Sequence, residues 1–205
     1  MSSPLRAQFR ALRHLTAPLR DRFRMLRGTH VVQQTAALRP EHRTARRRRQ
    51  HVLVDLINRY CSGPGVVIVE VGTVGGGTSA HIARYCPQIR KLYAVDIVKP
   101  DAAIDVMHTV PHLEFVHSDS VLAAKRFDDK SIDLVFIDAD HSAKGVFADL
   151  QAWVPKIKPG GVISGHDYGS HNHPGVKPAV DFYFALNPAN PLQVDADKVW
   201  WTLKY

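Results

Sequence analysis

The stretch GHDYGSHNH, from Gly165 to His173, places three histidines and one aspartate within nine residues. Imidazole and carboxylate groups at such spacing can bind a divalent metal ion or exchange protons near neutral pH. A second segment with these groups is FIDADH, which carries Asp138, Asp140 and His141. What the two segments do depends on the elements that position them.

Strand-like and helix-like segments alternate through the body of the chain. Runs rich in β-branched residues, the first being VVIVEVG, recur every ~20 to 30 residues with helix-like stretches between them. This rhythm predicts βαβ units and a doubly wound α/β domain over residues 51–205, closed by a pair of strands in LQVDADKVWWTLKY. Ligands bind beyond the carboxyl ends of the strands in such sheets, so strand-end residues are the candidate site residues.

The first strand leads into EVGTVGGGTS, a glycine-rich loop from Glu70 to Ser79. Glycine lets the backbone turn tightly and approach a ligand closely beside a helix N-terminus. The carboxylate of Glu70 would repel a pyrophosphate but attract an ammonium or sulfonium group. The loop also departs from the G-x-G-x-x-G pattern of dinucleotide sites, because two residues separate Gly72 from Gly75.

The next two predicted strands also end in acidic residues. Asp96 is suited to hold two ribose hydroxyls, although a strand-end aspartate can instead cap the following turn. In HSDS, Asp119 could accept a hydrogen bond from an adenine amino group, while Ser120 could assist it or cap the next helix. These residue types indicate a nucleoside-containing ligand.

Five segments resemble, in order and spacing, the motifs of class I S-adenosylmethionine-dependent methyltransferases: VIVEVGTVGGGTSAHIA, YAVDIV, HSDS, DLVFIDADHS and PKIKPGGVISGHDY. The pairing of FIDADH with KPGGVISGHDY is similar to the small O-methyltransferase branch that includes catechol, caffeoyl-CoA and macrolide-sugar O-methyltransferases. The resemblance implies a Rossmann-like sheet of seven strands with the last one antiparallel. The cofactor-binding residues that it implies are Glu70, Gly72 and Gly75 at the methionine end, Asp96 at the ribose, Asp119 and Ser120 near adenine, and also Thr73, Thr78 and Asp138.

The same resemblance implies a divalent metal site, for magnesium or manganese, formed by Asp138, His166 and Asp167. Metal-dependent relatives have only carboxylate or amide groups at these positions, so the imidazole of His166 is a departure. A nitrogen ligand shifts the preference of a site from magnesium towards manganese, iron, cobalt or zinc. An alignment one residue later would instead pair Asp167 with Tyr168.

His141 is the candidate general base, and Asp138 lies beside it in the candidate catalytic set. Catechol and caffeoyl-CoA relatives place a lysine there, whereas an imidazole already accepts a proton near neutral pH. Asp140 could orient this imidazole or cap the helix that follows. His171 and His173 lie in a turn-rich stretch, which favours an exposed loop on the substrate side.

These features predict an enzyme that transfers a methyl group from S-adenosylmethionine to a hydroxyl of a small molecule, such as a sugar, polyketide or phenol, aided by a divalent metal. Such a transfer needs an aligned and activated oxygen more than it needs covalent catalysis. One alternative is a metal-free methyltransferase with His141 as base. Another is a cofactor-binding module whose basic tail binds RNA or an anionic membrane.

The first fifty residues differ from the rest of the chain in charge. They hold 13 arginines against two acidic residues, whereas the remaining residues carry 14 basic and 17 acidic side chains. Apolar residues recur at helical spacing from Leu5 to Leu26, which predicts an Arg-rich amphipathic helical extension over residues 1–50, kinked or broken at Pro18. We expect this stripe to pack on the body or on a second copy in a homo-oligomer, with peripheral membrane contact or a transit peptide as alternatives.

The segment RTARRRRQ has no aromatic residues between its arginines, so we do not expect nucleic acid as a partner. Cys61 and Cys86 lack metal-ligand spacing, which favours two buried thiols in a reducing cytoplasm. No apolar run approaches the ~18 residues of a membrane span. We therefore expect a cytoplasmic protein.

Overall fold

The structure is a computed structural model that describes residues 48–99, 110, 112–187 and 189–205, together with the backbone of Gln33–Gln34. The amphipathic stripe predicted between Leu5 and Leu26 lies outside the described residues. The helical extension and its role in assembly therefore stay predictions.

A single mixed sheet with helices on both faces forms the body of the protein. Its strands are β1 (Gln33–Gln34), β2 (Val66–Val71), β3 (Ile89–Asp96), β4 (Leu113–His117), β5 (Ile132–Ile137), β6 (Ile157–Gly165), β7 (Gln193–Val194) and β8 (Trp200–Leu203). The helices in the described part of the chain are α1 (Arg49–Tyr60), α2 (Gly77–Tyr85), α3 (Ser120–Ala124), α4 (Ala143–Trp153) and α5 (Val176–Leu186), with short 3₁₀ turns at Val154–Lys156 and Ala196–Lys198.

The strand order is β1-β7-β8-β6-β5-β2-β3-β4. Strand β8 runs antiparallel to its neighbours β6 and β7, whereas the other pairs are parallel. The predicted doubly wound sheet of seven strands with an antiparallel last strand is confirmed by β2 to β8. The two-residue strand β1, which extends the sheet beside β7, has no signal in the sequence.

Both faces of the sheet are buried, which explains why its central strands are continuously apolar. Along β2, the side chains of Val67, Val69 and Val71 pack in the core beneath α3, α4 and α5. Val66 and Ile68 belong to the opposite core, beneath α1 and α2. This alternation is the two-residue period of a strand, and it fixes the side to which each later residue of β2 points.

Helix α1 begins at Arg49, the last arginine of the segment RTARRRRQ. Its buried face consists of Val52, Leu53, Leu56 and Ile57, at the spacing of one helical stripe. At its start, the Arg48 amide donates to Nδ1 of His51 at 3.2 Å, and the Arg49 amide donates to Oδ2 of Asp197 at 3.0 Å.

The carboxyl ends of three adjacent strands are aligned. Val71 of β2 is level with Ile137 of β5, which is level with Gly165 of β6. The pairing continues one residue further, since the amide of Asp138 donates to the Val71 carbonyl at 2.7 Å and that of His166 donates to the Ile137 carbonyl at 3.1 Å. The parallel sheet therefore brings the residues after these strands side by side.

The two cysteines are buried free thiols, as predicted. Burial raises the pKa of Cys61 to about 12 and that of Cys86 to about 11, so both stay protonated. Among the described residues, no helix is both long enough and apolar enough to cross a membrane.

Candidate active site

The glycine loop after β2 is held by the two strands beside it. Gly72 has φ of +87°, and a Cβ atom at this position would lie 2.3 Å from the carbonyl oxygen of Asp138. On the other side, Oδ2 of Asp96 accepts hydrogen bonds from the amides of Thr73 and Val74, both at 2.9 Å. Only glycine fits where β2 passes so close to the end of β5.

The loop then leaves room for a ligand. A Cβ atom added at Gly75 would meet no atom within 4 Å, in contrast with the crowding at Gly72. Gly76 adopts φ of 69° and turns the chain into α2. The space over Gly75 therefore lies beside a helix N-terminus, where backbone N–H groups are available.

Glu70 is a buried carboxyl group just before this loop. Only 2% of its surface is exposed, and its Oε2 accepts a hydrogen bond from the Ser79 hydroxyl of α2. Burial raises the pKa of Glu70 to about 8, and the negative charge of Asp138 acts in the same direction. A cation reaching this carboxylate would reverse that shift, because it favours the charged form.

Asp96 is more fully engaged than its predicted ribose-binding role suggests. In addition to its bonds with Thr73 and Val74, its Oδ1 accepts from the amide of Val98 at 2.9 Å. A carboxylate offers about four acceptor positions, so roughly one remains for a ribose hydroxyl. Bidentate ribose binding would require one of these backbone donors to move.

The two residues predicted near adenine have separate roles in this structure. Asp119 caps α3 by accepting from the Leu122 amide at 3.0 Å, and it is exposed. The Ser120 hydroxyl faces the core, where it donates to Asp149 at 2.5 Å and accepts from the Trp153 indole at 2.9 Å. Burial raises the pKa of Asp149 to about 6.

Beyond the ends of β5 and β6, one atom from each of two carboxylates and two imidazoles lies at a corner of a four-sided arrangement. Going around it, Asp138 Oδ1 and His141 Nε2 are 3.3 Å apart, and His141 Nε2 and Asp167 Oδ2 are 3.2 Å apart. Asp167 Oδ2 lies 3.2 Å from His166 Nδ1, which lies 3.5 Å from Asp138 Oδ1. We call Asp138, His141, His166 and Asp167 the Asp–His cluster. It brings the three predicted metal ligands and the predicted base together.

His166 has an unusual environment within the cluster. Both of its ring nitrogens are buried, and neither makes a well-aligned hydrogen bond among the described residues, although Nδ1 lies 3.2 Å from Asp167 Oδ2. Burial acts to lower its pKa, but the carboxylates of Asp138 and Asp167 outweigh it, and the pKa is raised. Buried polar groups are normally paired, so a group that binds Nδ1 is expected here. A metal ion beside two carboxylates meets that requirement.

The hydroxyl of Tyr168, the residue offered by the alternative alignment, lies away from the Asp–His cluster. Tyr168 donates its hydroxyl proton to Asp181 at 2.6 Å and accepts from Lys177 at 3.0 Å, so it points towards α5 and not into the cluster. Burial and the bond to Asp181 raise the pKa of Tyr168 to about 12. Asp167 adopts φ of +59°, a conformation that costs energy outside glycine and is often found at functional sites.

His173 also reaches the site, although its turn-rich surroundings predict an exposed loop. Its ring stacks on that of His141 with centroids 3.9 Å apart, and its Nε2 lies 3.7 Å from Asp167 Oδ2. The loop is seated closely, since a Cβ atom at Gly175 would be 2.6 Å from the His141 carbonyl oxygen. His171 is exposed, as the prediction of an exposed loop requires, and the side chain of His173 is 38% exposed while it also reaches the site.

Asp140 belongs to the start of α4. Its carboxylate accepts from both the amide and the hydroxyl of Ser142, at 2.8 and 3.0 Å. The Ser142 hydroxyl in turn accepts from the Gly145 amide at 3.0 Å, which is the N-cap of the helix. Of the two roles predicted for Asp140, the structure favours the helix start.

Arg49 is a site residue that the sequence interpretation missed. Its Nε donates to Thr78 Oγ1 at 3.3 Å, and its Nη1 lies 3.6 Å from Asp138 Oδ2. Its amide donates to Asp197 Oδ2 at 3.0 Å, which anchors the first turn of α1. The segment RTARRRRQ indicates only positive charge in the sequence. The available signal was that its last arginine, Arg49, is followed by a helix-like stretch that enters the fold.

The strand order, the antiparallel last strand and the glycine loop after the central strand define the Rossmann-like fold of class I methyltransferases. Residues 69–168, just under half of the chain, match the sequence profile of a family described as methyltransferase domain. No curated protein shows significant sequence similarity to the chain.

Several solved structures share the fold at low sequence identity. One is the TDP-rhamnose 3′-O-methyltransferase of calicheamicin biosynthesis, with 17% identity, 82% of each chain covered and a TM-score of 0.60. A proposed O-methyltransferase from Klebsiella pneumoniae has 16% identity, with 83% of this chain and 82% of that chain covered and a TM-score of 0.60. A 1,6-didemethyltoxoflavin-N1-methyltransferase from Burkholderia thailandensis, solved with S-adenosylhomocysteine, has 14% identity, 76% and 77% coverage and a TM-score of 0.54. The profile match and the shared fold agree with the methyltransferase resemblance of the sequence motifs.

Proposed function

We propose that this protein is a S-adenosylmethionine-dependent O-methyltransferase that acts on a hydroxyl of a small molecule, such as a sugar, polyketide or phenol. The observation that carries the proposal is the contact between the glycine loop and the Asp–His cluster, where Gly72 lies against the backbone of Asp138. A methyl donor on the loop would therefore lie beside groups able to activate an acceptor. Two of the similar structures are described as O-methyltransferases, one of them as a TDP-rhamnose 3′-O-methyltransferase, which supports this acceptor class.

The cofactor would lie across the ends of β2, β3 and β4. Its ammonium and sulfonium groups fit the carboxylate of Glu70, which is buried and, among the described residues, has Ser79 as its side-chain hydrogen-bond partner. The proposed contacts are Glu70, Gly72, Thr73, Gly75, Thr78 and Asp138 at the methionine end, Asp96 at the ribose, and Asp119 with Ser120 near adenine.

Exposed apolar side chains support the adenine position. Val74, Ile97, Val98 and Leu122 follow the ends of the same strands and are each more than half exposed. Large apolar side chains at such a position suit the flat faces of a purine ring, because a binding site is usually lined by apolar groups with a few polar ones.

The acceptor hydroxyl would be activated at the Asp–His cluster. Asp138, His166 and Asp167 would hold a divalent ion, and Nδ1 of His166, which makes no well-aligned hydrogen bond among the described residues, fits that role. Such an ion lowers the pKa of a bound hydroxyl and fixes its position. His141 is placed to receive the hydroxyl proton, because its Nε2 faces the same carboxylates. The metal-free alternative, in which His141 alone activates the hydroxyl, uses the same pocket.

Acceptor recognition is proposed for the loop around His173 and for the N-terminal extension. The described segments between the motifs are short, so the body offers little other surface to enclose an acceptor. Homo-oligomer formation through the N-terminal helices stays part of the proposal, with a peripheral membrane contact as the other use of that basic segment.

Two measurements test the proposed function. Calorimetry with S-adenosylhomocysteine tests the cofactor site, and product mass after incubation with labelled S-adenosylmethionine and a panel of sugars, phenols and polyketide alcohols tests the reaction. We expect S-adenosylhomocysteine to bind. We also expect the mass of at least one hydroxyl compound to increase by one methyl group. Failure to bind S-adenosylhomocysteine would refute the proposal. Methylation of amines only would refute its O-methyltransferase part.

A further inference from the structure

We infer that Asp197 is a positioning residue of the candidate active site: from the turn before β8, it holds the start of α1 so that Arg49 stays directed at the methionine end of the cofactor. The inference rests on the proposed function, because it concerns how that cofactor is held. It adds a residue from the last part of the chain, to which the sequence motifs assign no role.

The start of α1 has no acidic group of its own. Its N-cap residue is Arg48, and its first turn, Arg49 to Val52, contains no aspartate or glutamate. The first N–H groups of a helix lack partners within the helix and favour a negative charge. Oδ2 of Asp197 accepts a hydrogen bond from the Arg49 amide at 3.0 Å. Asp197 therefore caps α1 from a distant segment, and the bond is made to the residue whose side chain enters the site.

From this position, the side chain of Arg49 extends to the cofactor loop. Its Nε donates to Thr78 Oγ1 at 3.3 Å, and its Nη1 lies 3.6 Å from Asp138 Oδ2. A guanidinium has five N–H donors, more than these two contacts use. The remaining donors can bind the amino-acid carboxylate of the cofactor, provided that the start of α1 keeps its place.

The turn that carries Asp197 is also anchored to the other side of the site. The Lys198 carbonyl accepts from the Tyr168 amide at 3.1 Å, and the Lys198 Nζ donates to the hydroxyl of the buried Ser170 at 3.1 Å. The same oxygen of Asp197 that bonds to α1 lies 3.8 Å from His166 Nε2. The turn therefore connects α1 with the segment after β6, and the Asp197 carboxylate lies between the two.

The backbone of this turn is strained. Asp197 and Lys198 both adopt the left-handed conformation, with φ of 55° and 59°. This conformation costs free energy in residues other than glycine, and it persists where the surrounding contacts hold it in place. Because glycine would adopt it without that cost, an aspartate at position 197 is consistent with a use for its carboxylate.

The test is ligand binding by the full-length protein, measured by calorimetry with S-adenosylhomocysteine and with 5′-methylthioadenosine, which lacks the amino-acid carboxylate. Asp197→Gly removes the carboxylate and suits the left-handed backbone. Asp197→Asn keeps an oxygen that can accept from the Arg49 amide. Lys130→Gly is the matched control, because Lys130 is an exposed residue with φ of 58° that lies just before β5, at the opposite end of that strand from the site.

We expect Asp197→Gly to weaken S-adenosylhomocysteine binding about fivefold, the effect of one hydrogen bond, and to change the affinity for 5′-methylthioadenosine by less than about twofold. Asp197→Asn should bind S-adenosylhomocysteine within about twofold of the unmodified protein, since the bond to the Arg49 amide is kept. Lys130→Gly should have no effect. Because Asp197 acts through Arg49, adding Asp197→Gly to Arg49→Ala should cause no further loss of affinity.

Unchanged S-adenosylhomocysteine affinity in Asp197→Gly would overturn the inference. Equal losses for the two ligands would also overturn it, because they would show a general loss of structure, and so would losses that multiply when Asp197→Gly and Arg49→Ala are combined. A loss in Asp197→Asn as large as that in Asp197→Gly would contradict the role of the hydrogen bond. If the unmodified protein does not bind S-adenosylhomocysteine, the proposed function fails; if it binds and Asp197→Gly binds equally well, only the role of Asp197 fails.

Discussion

The rings of His141 and His173 stack with their centroids 3.9 Å apart and their planes inclined by 29°. One ring follows β5, and the other comes from the loop between β6 and α5, so two separate connections of the sheet meet at the candidate site. Gly175 closes this contact by packing against the backbone of His141 and Ser142. The loop is therefore part of the wall of the site.

The two glycines of the β2 loop should respond oppositely to a single added methyl group. Gly72→Ala is expected to destabilise the fold, because φ is +87° and the Cβ atom would clash with the backbone of Asp138. Gly75→Ala should leave the melting temperature nearly unchanged and weaken S-adenosylhomocysteine binding, since its Cβ atom would enter the open ligand space. Thermal unfolding and calorimetry of both variants check this. Equal affinity for S-adenosylhomocysteine in Gly75→Ala and the unmodified protein would contradict the cofactor position.

The buried carboxyl of Glu70 should make stability depend on pH. Its pKa is raised from 4.5 to about 8 in the folded protein, so its stabilising contribution is complete below pH 4.5 and is lost as the pH rises towards 8. Glu70→Gln, which stays uncharged, should flatten the fall in the free energy of unfolding over this range. Urea denaturation at several pH values measures the effect. Glu114→Gln is the control, because Glu114 is a partly exposed group whose pKa is lowered by Lys91; an equal flattening there would contradict the assignment to Glu70.

The same carboxyl gives a second signature in ligand binding. If the ammonium group of the cofactor approaches Glu70, the carboxyl ionises and a proton is released on binding near neutral pH. Calorimetry of S-adenosylhomocysteine in buffers of different ionisation enthalpy counts that proton. The release should disappear in Glu70→Gln, and persistence of the release in that variant would place its source elsewhere.

Arg49 is expected to assist binding at the methionine end of the cofactor. Its guanidinium lies between Thr78 of α2 and Asp138, and it is the positive charge that acts on Glu70. Arg49→Ala should weaken S-adenosylhomocysteine binding by roughly five- to twentyfold, the range of one charge-assisted hydrogen bond. Binding of 5′-methylthioadenosine, which lacks the amino-acid carboxylate, should change little.

Arg59→Ala is the matched control for this change, since it removes an exposed arginine from the last turn of the same helix. A similar loss of affinity in both variants would show a general charge effect. Equal losses for both ligands in Arg49→Ala would show that Arg49 does not recognise the carboxylate.

Tyr168→Phe is expected to affect stability but not metal binding. The change removes a buried hydroxyl that links Asp181 and Lys177, while the ion pair between those two residues at 2.6 Å is kept. A loss of about 1–2 kcal/mol in the free energy of unfolding follows from one such hydroxyl. Chemical denaturation and a cobalt titration measure the two properties. Loss of cobalt binding would revive the pairing of Asp167 with Tyr168.

Much of the fold could be predicted because its signals are local. The central strands β2 and β5 are short apolar runs rich in β-branched residues and bounded by glycine or polar residues, and such runs are hard to accommodate elsewhere. Strand β1 could not be found in this way, because two glutamines carry no periodicity. Its pairing with β7 depends on where the chain passes in space.

The site residues that the sequence predicts lie at the ends of adjacent parallel strands. The site residues that it misses are brought in by a loop and by a helix from elsewhere in the chain. Asp138 and His166 could be placed together because parallel strands deliver their next residues to one edge. The turn after Tyr168 brings His173 to the site. Helix α1 brings Arg49, and its contacts there are with residues distant in the sequence, such as Asp197. The contact between Arg49 and Asp197 spans 148 positions, and no pattern in one sequence signals it.

The turn before β8 supplies contacts to the site from a part of the chain that is synthesised late. Asp197, in that turn, accepts the Arg49 amide at 3.0 Å and faces His166 at 3.8 Å. The ribosome has synthesised α1, β5 and β6 well before residue 197. The contacts of Asp197 and the pairing of β8 with β6 therefore form only after these elements have left the ribosome. Until β8 joins the sheet, the edge of β6 is unpaired and open to other chains. Interrupted translation would therefore leave an aggregation-prone edge and an incomplete pocket in the same molecule.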